Sequence, residues 1–212
     1  KFKFMNPKIL ALITARKNSK RLPKKNLKKI GNKTLVEWSI SSVENIREIV
    51  DIFVTTDDLN ILKISKKNGA ISPWLRPKRL SKDNTSSEDT VMHALKWYEK
   101  KVCKPDGLLL LQPTTPFRSK ANIKKAIKFF KKNKSKPIIA VSKIINEKKF
   151  LKPLVNGSFY LSSIKYFKKF KNLSPKNFYP ILIKKKEECI DINTKSDLSL
   201  ARKYFNKSYY TN

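Results

Sequence analysis

Between Ala15 and Asn26 the chain reads A-R-K-N-S-K-R-L-P-K-K-N, and six of the ten residues from Arg16 to Lys25 are cationic. Lys and Arg together make up 49 of 212 residues, so an average window of ten would hold about 2.3. The segment follows Ile9-Leu-Ala-Leu-Ile-Thr14, a short apolar run that reads as a buried strand. A cation-dense loop at the carboxyl end of a first strand is where an open α/β sheet takes its ligand. Guanidinium and ammonium groups gathered this closely suit a polyphosphate, the most highly charged common small ligand, through charge-assisted hydrogen bonds.

Other chemistries lack their residues. The four glycines, at 31, 69, 107 and 157, each fall at an expected turn or element end. Neither a Walker loop nor G-x-G-x-x-G is present, so phosphate binding must rest on cationic side chains and on amides of the first loop. Lone His93, Cys103 and Cys189 form no zinc-binding cluster. His93 lies off the apolar stripe of a helical pattern, which points to an exposed or partly buried structural histidine rather than a partner for a nucleophilic serine. Two cysteines without a spacing motif suggest a reducing cytoplasm and no structural disulfide. No apolar run approaches the length of a membrane span and no signal-peptide pattern opens the sequence, so the chain is expected to be cytoplasmic, with no membrane partner.

The formal net charge of +33 admits a nucleic-acid or anionic-surface binder. Outside the first loop, however, the cations are scattered in pairs such as Lys66-Lys67, Lys100-Lys101 and Lys131-Lys132. No basic segment interleaves aromatics for base stacking. Solvated lysine-rich helix faces account for these charges, and no specific nucleic-acid partner is expected.

The positioning elements follow from the same residues. A length of 212 with 40% apolar and 31% charged residues predicts one globular domain over 1–212. Strand-like runs alternate with helical patterns, which predicts a single-domain α/β fold with a mostly parallel central sheet flanked by helices. The strands are read at 9–14, 50–56, 107–112, 137–141, 158–161 and 188–192. Gly107 to Gln112 is the most central, being apolar on both faces. Thr34-Leu-Val-Glu37 and Thr85-Ser-Ser-Glu88 read as capping boxes. Asp57 or Asp58 caps the helix carrying Leu59, Ile61 and Leu62, which Asn68-Gly69 ends; both aspartates read as caps rather than ligands. Ser119 opens a further helix, and Thr194-Lys-Ser-Asp197 opens the last.

The order of short motifs then becomes informative. A-R-K-N-S-K-R-L-P-K-K-N (15–26), V-T-T-D-D (54–58), L-R-P (75–77), T-S-S-E-D (85–89), L-L-Q-P-T-T-P-F-R (110–118), N-G-S-F-Y (156–160) and I-D-I-N-T (190–194) resemble the acylneuraminate cytidylyltransferases, the CMP-sialic acid synthetase family. The motifs stand in the family's order across nearly the whole chain, and the first and fifth are specific. The resemblance implies a Rossmann-like nucleotidyltransferase fold that joins CTP to a nonulosonic, sialic-acid-like sugar, giving a CMP-sugar and pyrophosphate. The sugar's anomeric hydroxyl would attack the α-phosphate in line, chemistry that depends on positioning and charge neutralisation, with Mg²⁺ as cofactor.

By motif position the resemblance assigns Arg16 and Lys25 to the triphosphate, with Lys20 as a further cation. It assigns Asn26, Arg76, Ser87 and Gln112 to cytidine, whose ring offers two acceptors and an amine donor to guanidinium and amide groups. Asn156 and Tyr160 would face the sugar, which Gln112 would also reach. Asp191, near the end of the late strand, would ligate Mg²⁺.

Three departures from the family pattern stand out. Arg21 replaces a common Gly. Asn193 replaces a frequent second Asp at the metal, where a neutral oxygen is the weaker ligand. Only 13 residues separate Ser142 from Asn156, where relatives carry a longer excursion that contributes to sugar binding and to a homodimer contact. The CTP half of the site is untouched by that shortening. Two rivals follow: a cytidylyltransferase for another acidic sugar, such as a 3-deoxy-octulosonate, and a non-catalytic basic relative that binds polyanions.

Overall fold

The structure, a computed structural model, describes residues 6–82, 84–143 and 153–210. Its centre is a six-stranded sheet built from β1 (Ile9–Thr14), β4 (Ile49–Thr55), β5 (Gly107–Leu111), β6 (Ile138–Lys143), β7 (Pro153–Ser163) and β8 (Tyr179–Leu182), in the order β4-β1-β5-β7-β6-β8. A small hairpin of β2 (Lys29–Ile30) and β3 (Lys33–Thr34) stands apart. β4, β1 and β5 run parallel, as do β6 and β8, while β7 is antiparallel to both of its neighbours. The mostly parallel sheet expected from the alternation of elements is present.

Burial on both faces explains the apolar strands. Along β1, Ile9, Ala11 and Ile13 face one cluster and Leu10 and Leu12 the other. The first cluster is completed by α1 (Leu35–Ser41), α2 (Leu59–Lys67) and α4 (Lys120–Lys132), through Val36, Ile40, Ile61, Ile123, Ile127 and Phe130. The second is completed by α3 (Ser87–Lys101) and α5 (Ile164–Phe170), through Val91, Leu95, Tyr98 and Phe167. Two-sided burial is what a parallel strand under helical layers requires. A third, smaller cluster joins Leu22, Ile30, Leu35, Ile190 and Ile192 to Leu198 and Ala201 of α6 (Lys195–Tyr210). It presses the first loop against the segment that carries Asp191 and Asn193.

Local signals account for most element ends. Thr34 and Glu37 form a reciprocal capping box on α1. Asp58 accepts from the amides of Asn60 (2.7 Å) and Ile61 (3.2 Å) at the start of α2, and Gly69 (φ +73°) closes it. Ser119 caps α4 by accepting from the amide of Asn122. One cap lies a residue later than expected: Ser86, not Thr85, takes the α3 N-cap and accepts from the amide of Asp89.

Two strand assignments differ. Residues 188–192 form no strand: Glu187–Cys189 is a 3-10 turn, and Ile192 donates one hydrogen bond to the Thr114 carbonyl (2.7 Å). The alternation that suggested a strand comes from Ile190 and Ile192 packing beneath the first loop. The sixth strand is instead Tyr179-Pro-Ile-Leu182, an edge strand on β6. Pro180 masked it in the sequence, since proline enters sheets chiefly at their edges.

Candidate active site

The parallel register sets Ile13 beside Leu111, so the chain leaves β1 and β5 at the same edge of the sheet. The loop after β1 is pinned from within. Leu22 is buried in the third cluster, Lys24 adopts a left-handed conformation (φ 51°) ahead of the 3-10 turn Lys25–Leu27, and the buried Asn26 amide donates to the Arg16 carbonyl at 2.8 Å. The resulting cleft of about 650 Å³ is lined by six cations, Arg16, Lys20, Arg21, Lys25, Arg76 and Lys82. Asp191 is the one carboxylate among its described lining residues. Such an excess of positive charge focuses a field suited to a polyanionic ligand.

Of the residues assigned from the sequence, Arg16, Lys20, Lys25, Asn26, Arg76, Ser87, Gln112, Asp191 and Asn193 all line this cleft. They arrive from the first loop, the loop before the 3-10 turn Lys78–Leu80, the start of α3, the end of β5 and the segment before α6. Asn156 and Tyr160 do not line it. The Asn156 side chain accepts from the Ser158 amide within β7 at 3.0 Å, and its amide group lies 3.8 Å from Cys189 Sγ in the 3-10 turn Glu187–Cys189. Tyr160 is half-buried against the α3 and α5 cluster. Burial pushes its phenol above the usual range, and the charges of Asp191 and Glu88 push the same way. Residues 144–152, the greater part of the shortened segment, lie outside the described residues. Half-buried His93 stacks on Trp74 (5.3 Å between rings) and is absent from the cleft lining.

Two cations are held in unlike ways. Lys25 donates to Asn193 Oδ1 at 3.0 Å, and Asn193 Nδ2 donates to Asp191 Oδ2 at 2.6 Å. Burial holds the Lys25 ammonium below its ordinary range; Asp191 opposes this, and Arg21 and Arg16 add to it. Arg76 is buried, its Nε donating to Ser81 Oγ (3.2 Å) and its Nη2 standing 3.4 Å from Asp57 Oδ1. Burial disfavours its charge and Asp57 restores part of it. Asp191, which follows a 3-10 turn rather than ending a strand, is exposed at the mouth of the cleft. One exposed carboxylate fits Mg²⁺, which takes one or two protein oxygens and completes its octahedron with substrate phosphates and water; Asn193 turns its Nδ2 to that carboxylate and its Oδ1 to Lys25.

Sequence reasoning missed three contributors. Arg118, buried, closes the L-L-Q-P-T-T-P-F-R motif by donating to the Gln112 and Ser158 carbonyls, to Thr115 Oγ1 (2.8 Å) and to Ser39 Oγ (3.1 Å), all neutral oxygens. It ties the end of β5 to β7 and α1. Gly157 sits where β7 bulges, between the pairs Ile139–Tyr160 and Val141–Val155, with φ +74°. A Cβ there would stand 2.7 Å from Gln112 Oε1, so the bare backbone makes room for that amide. Asp57 is the third. The Arg at the close of the motif and the Asn-Gly pair were the available signals for the first two.

The fifth motif and the cation loop thus meet in one cleft, and the sequence that builds it is similar to that of known proteins. A family model described as cytidylyltransferase matches residues 10–198. The chain belongs to the cytidylyltransferase family. Among members with assigned names, it is 30% identical over 222 residues to the CMP-N,N'-diacetyllegionaminic acid synthase of Legionella pneumophila, covering 92% of this chain and 95% of that protein. It is 33% identical over 135 residues to the pseudaminic acid cytidylyltransferase of Campylobacter jejuni, covering 64% of this chain and 58% of the relative. In three dimensions the cytidylyltransferase superposes on a CMP:2-keto-3-deoxy-manno-octonic acid synthetase solved with CTP, with a TM-score of 0.73 at 14% identity over 95% of this chain and 99% of that one. That likeness establishes the shared nucleotidyltransferase fold. Among the described residues, no helix is long and apolar enough to cross a membrane.

Proposed function

We propose that this cytidylyltransferase activates an acidic nonulosonic sugar with CTP, releasing pyrophosphate and a CMP-sugar. The observation that carries the reading is the convergence, in one cleft, of Arg16, Lys20 and Lys25 from the first loop with Arg76, Ser87 and Gln112 from three other segments. The first group suits a triphosphate and the second a cytosine ring and ribose. The sugar hydroxyl attacks the α-phosphorus, the bond to the β-phosphate oxygen breaks, and pyrophosphate leaves with the hydroxyl proton released to solvent.

Arg16 and Lys25 hold the phosphates in line and offset the charge that grows on the leaving group. Asn26 holds the loop by its bond to the Arg16 carbonyl. Gln112, with Gly157 leaving space beside its amide, stands where base and sugar meet. Mg²⁺ held at Asp191 and beside Asn193 would supply further charge neutralisation to the phosphates. The acidic-sugar assignment draws on the legionaminic and pseudaminic relatives.

The test is pyrophosphate release from CTP against a panel of nonulosonic and octulosonic acids, with thermal shifts for CTP, UTP and ATP alongside. Turnover with a nonulosonic acid, stronger stabilisation by CTP, and loss of signal in Arg16→Ala and Lys25→Ala are expected. Turnover confined to an octulosonic acid would move the sugar class. Normal turnover in both variants would remove the phosphate assignment. Salt-sensitive stabilisation by any polyanion, without nucleotide preference, would mark a binding protein instead.

A further inference from the structure

Two adjacent aspartates follow β4, and the fold uses them for different purposes. Asp58 is buried and caps α2. Asp57 makes no cap. Its Oδ1 accepts the backbone N–H of Lys17 at 2.8 Å and stands 3.4 Å from Arg76 Nη2. Lys17 is the second residue of the cation loop, directly after Arg16, whereas Arg76 lines the cleft from a separate segment, ahead of the 3-10 turn Lys78–Leu80. One carboxylate oxygen therefore joins the two segments.

The joint has little slack. The Arg76 main chain is fixed by its N–H to the Thr56 carbonyl at 2.6 Å, and its Nε by Ser81 Oγ. The Arg76 side chain is 4% exposed and that of Asp57 19%, so the pair is largely withdrawn from solvent and screening by salt is weak. Neutralising a buried guanidinium does not by itself demand this carboxylate. Arg118, equally buried, is satisfied by carbonyl and hydroxyl oxygens. What sets Asp57 apart is its second bond, to the amide of the loop. If that loop moves as the triphosphate seats, the oxygen moves with it and so does the guanidinium; a guanidinium engaged by the base holds the loop in return.

Building on the function proposed above, we propose that Asp57 is a positioning residue that couples the triphosphate loop to Arg76, so that recognition of the base and grip on the phosphates reinforce each other. Asp57 touches neither substrate moiety. It acts through the orientation of Arg76 and the conformation at Arg16 and Lys17.

The experiment measures dissociation constants of CTP, UTP and inorganic tripolyphosphate by calorimetry. The proteins are wild type, Asp57→Ala, Asp57→Asn, Arg76→Ala and the Asp57→Ala/Arg76→Ala double variant. Wild type is expected to prefer CTP over UTP. Asp57→Ala should lose about tenfold of that preference, as a charged hydrogen bond warrants, and approach Arg76→Ala. The double variant should lose no more than either single one, because both act through one path. Asp57→Asn keeps Oδ1 as a neutral acceptor for both the Lys17 amide and Arg76, so it should retain more of the base preference and of the tripolyphosphate affinity than Asp57→Ala does. It also answers the question should Asp57→Ala fail to fold.

A purely structural Asp57 would weaken CTP and UTP equally, leave the preference unchanged and add to Arg76→Ala in the double variant. Any of these results overturns the coupling while leaving the cleft assignment standing. Absence of a CTP preference in wild type overturns both.

Discussion

Replacing Asn193 with Asp tests the proposed Mg²⁺ site, and the structure gives the sign of the effect. Asn193 is a two-way bridge: its Oδ1 accepts from Lys25 and its Nδ2 donates to Asp191 Oδ2 at 2.6 Å. Its own amide is held by Asp197 Oδ2 at 2.9 Å, so the main chain stays in place when the side chain changes. In Asn193→Asp the donor toward Asp191 becomes an oxygen, and two carboxylates face each other without a proton between them. Unit charges about 4 Å apart repel by about 1 kcal/mol in water and by about 4 kcal/mol at an effective dielectric of 20. Asp191 is exposed, so the lower figure applies. A divalent cation removes that repulsion and gains a charged ligand, so about 1 kcal/mol of differential binding, or about fivefold, falls to the metal.

The Mg²⁺ concentration for half-maximal rate should therefore drop about fivefold in Asn193→Asp. A calorimetric Mg²⁺ titration of the CTP-bound protein should shift in parallel. Lys25, now beside a carboxylate, should bind the triphosphate less readily, and the KM for CTP should rise. An unchanged titration would place Asn193 outside the metal's surroundings. A higher Mg²⁺ requirement would show that the amide bridge, not the charge, organises Asp191.

Three further outcomes follow from the geometry. Burial holds the Lys25 ammonium low; a triphosphate beside it raises that value, so CTP binding should take up protons, increasingly as pH climbs into the alkaline range below 10.5. Calorimetry in buffers of different ionisation enthalpy reads this uptake, and Lys25→Met should abolish it; uptake that survives the substitution would assign it to another group. Gly157→Ala places a Cβ against Gln112 Oε1 at φ +74°, which should cost about 1 to 2 kcal/mol. Its melting temperature should fall by several degrees and its KM values should rise, whereas wild-type behaviour would show that the bulge relaxes freely. Buried Glu188 accepts from the Ser119 amide (3.2 Å) and Asn122 Nδ2 (2.8 Å) at the α4 N-terminus. Glu188→Ala should lose about 2 kcal/mol in thermal or urea denaturation, and Glu188→Gln less, since it still accepts; equal losses would discount those bonds.

The parts of the cleft legible in the sequence are those where chemistry and local pattern coincide. The cation loop announces itself by density, and the apolar run before it fixes where it begins. Gln112 was visible because a polar residue ends a strand apolar on both faces. Arg76 and Ser87 came only through the order of motifs, since L-R-P and T-S-S-E-D carry no chemistry alone. The misreadings have physical causes. An alternating E-C-I-D-I segment packs its isoleucines beneath a loop as well as a strand would pack them on a sheet, and only the ladder of hydrogen bonds distinguishes the two. Pro180 argued against a strand that tolerates it because β8 has a free edge.

Polar pairings were the least legible. Asp57 and Asp58 are chemically identical neighbours in the irregular connection between β4 and α2. Which one caps α2 and which reaches Arg76 depends on the path of that connection relative to both partners, which no local pattern contains. Asn193 poses the same problem. Read alone, it is a weaker metal ligand than the Asp common in relatives, but in place it also joins Lys25 to Asp191. A carboxylate at 193 would pair with the ammonium and repel its neighbour, whereas the amide satisfies both with one donor and one acceptor. If Mg²⁺ binds as proposed, with Asp191 the one carboxylate among the described residues of the cleft, the protein should require more Mg²⁺ than Asn193→Asp and keep its Lys25 for the triphosphate.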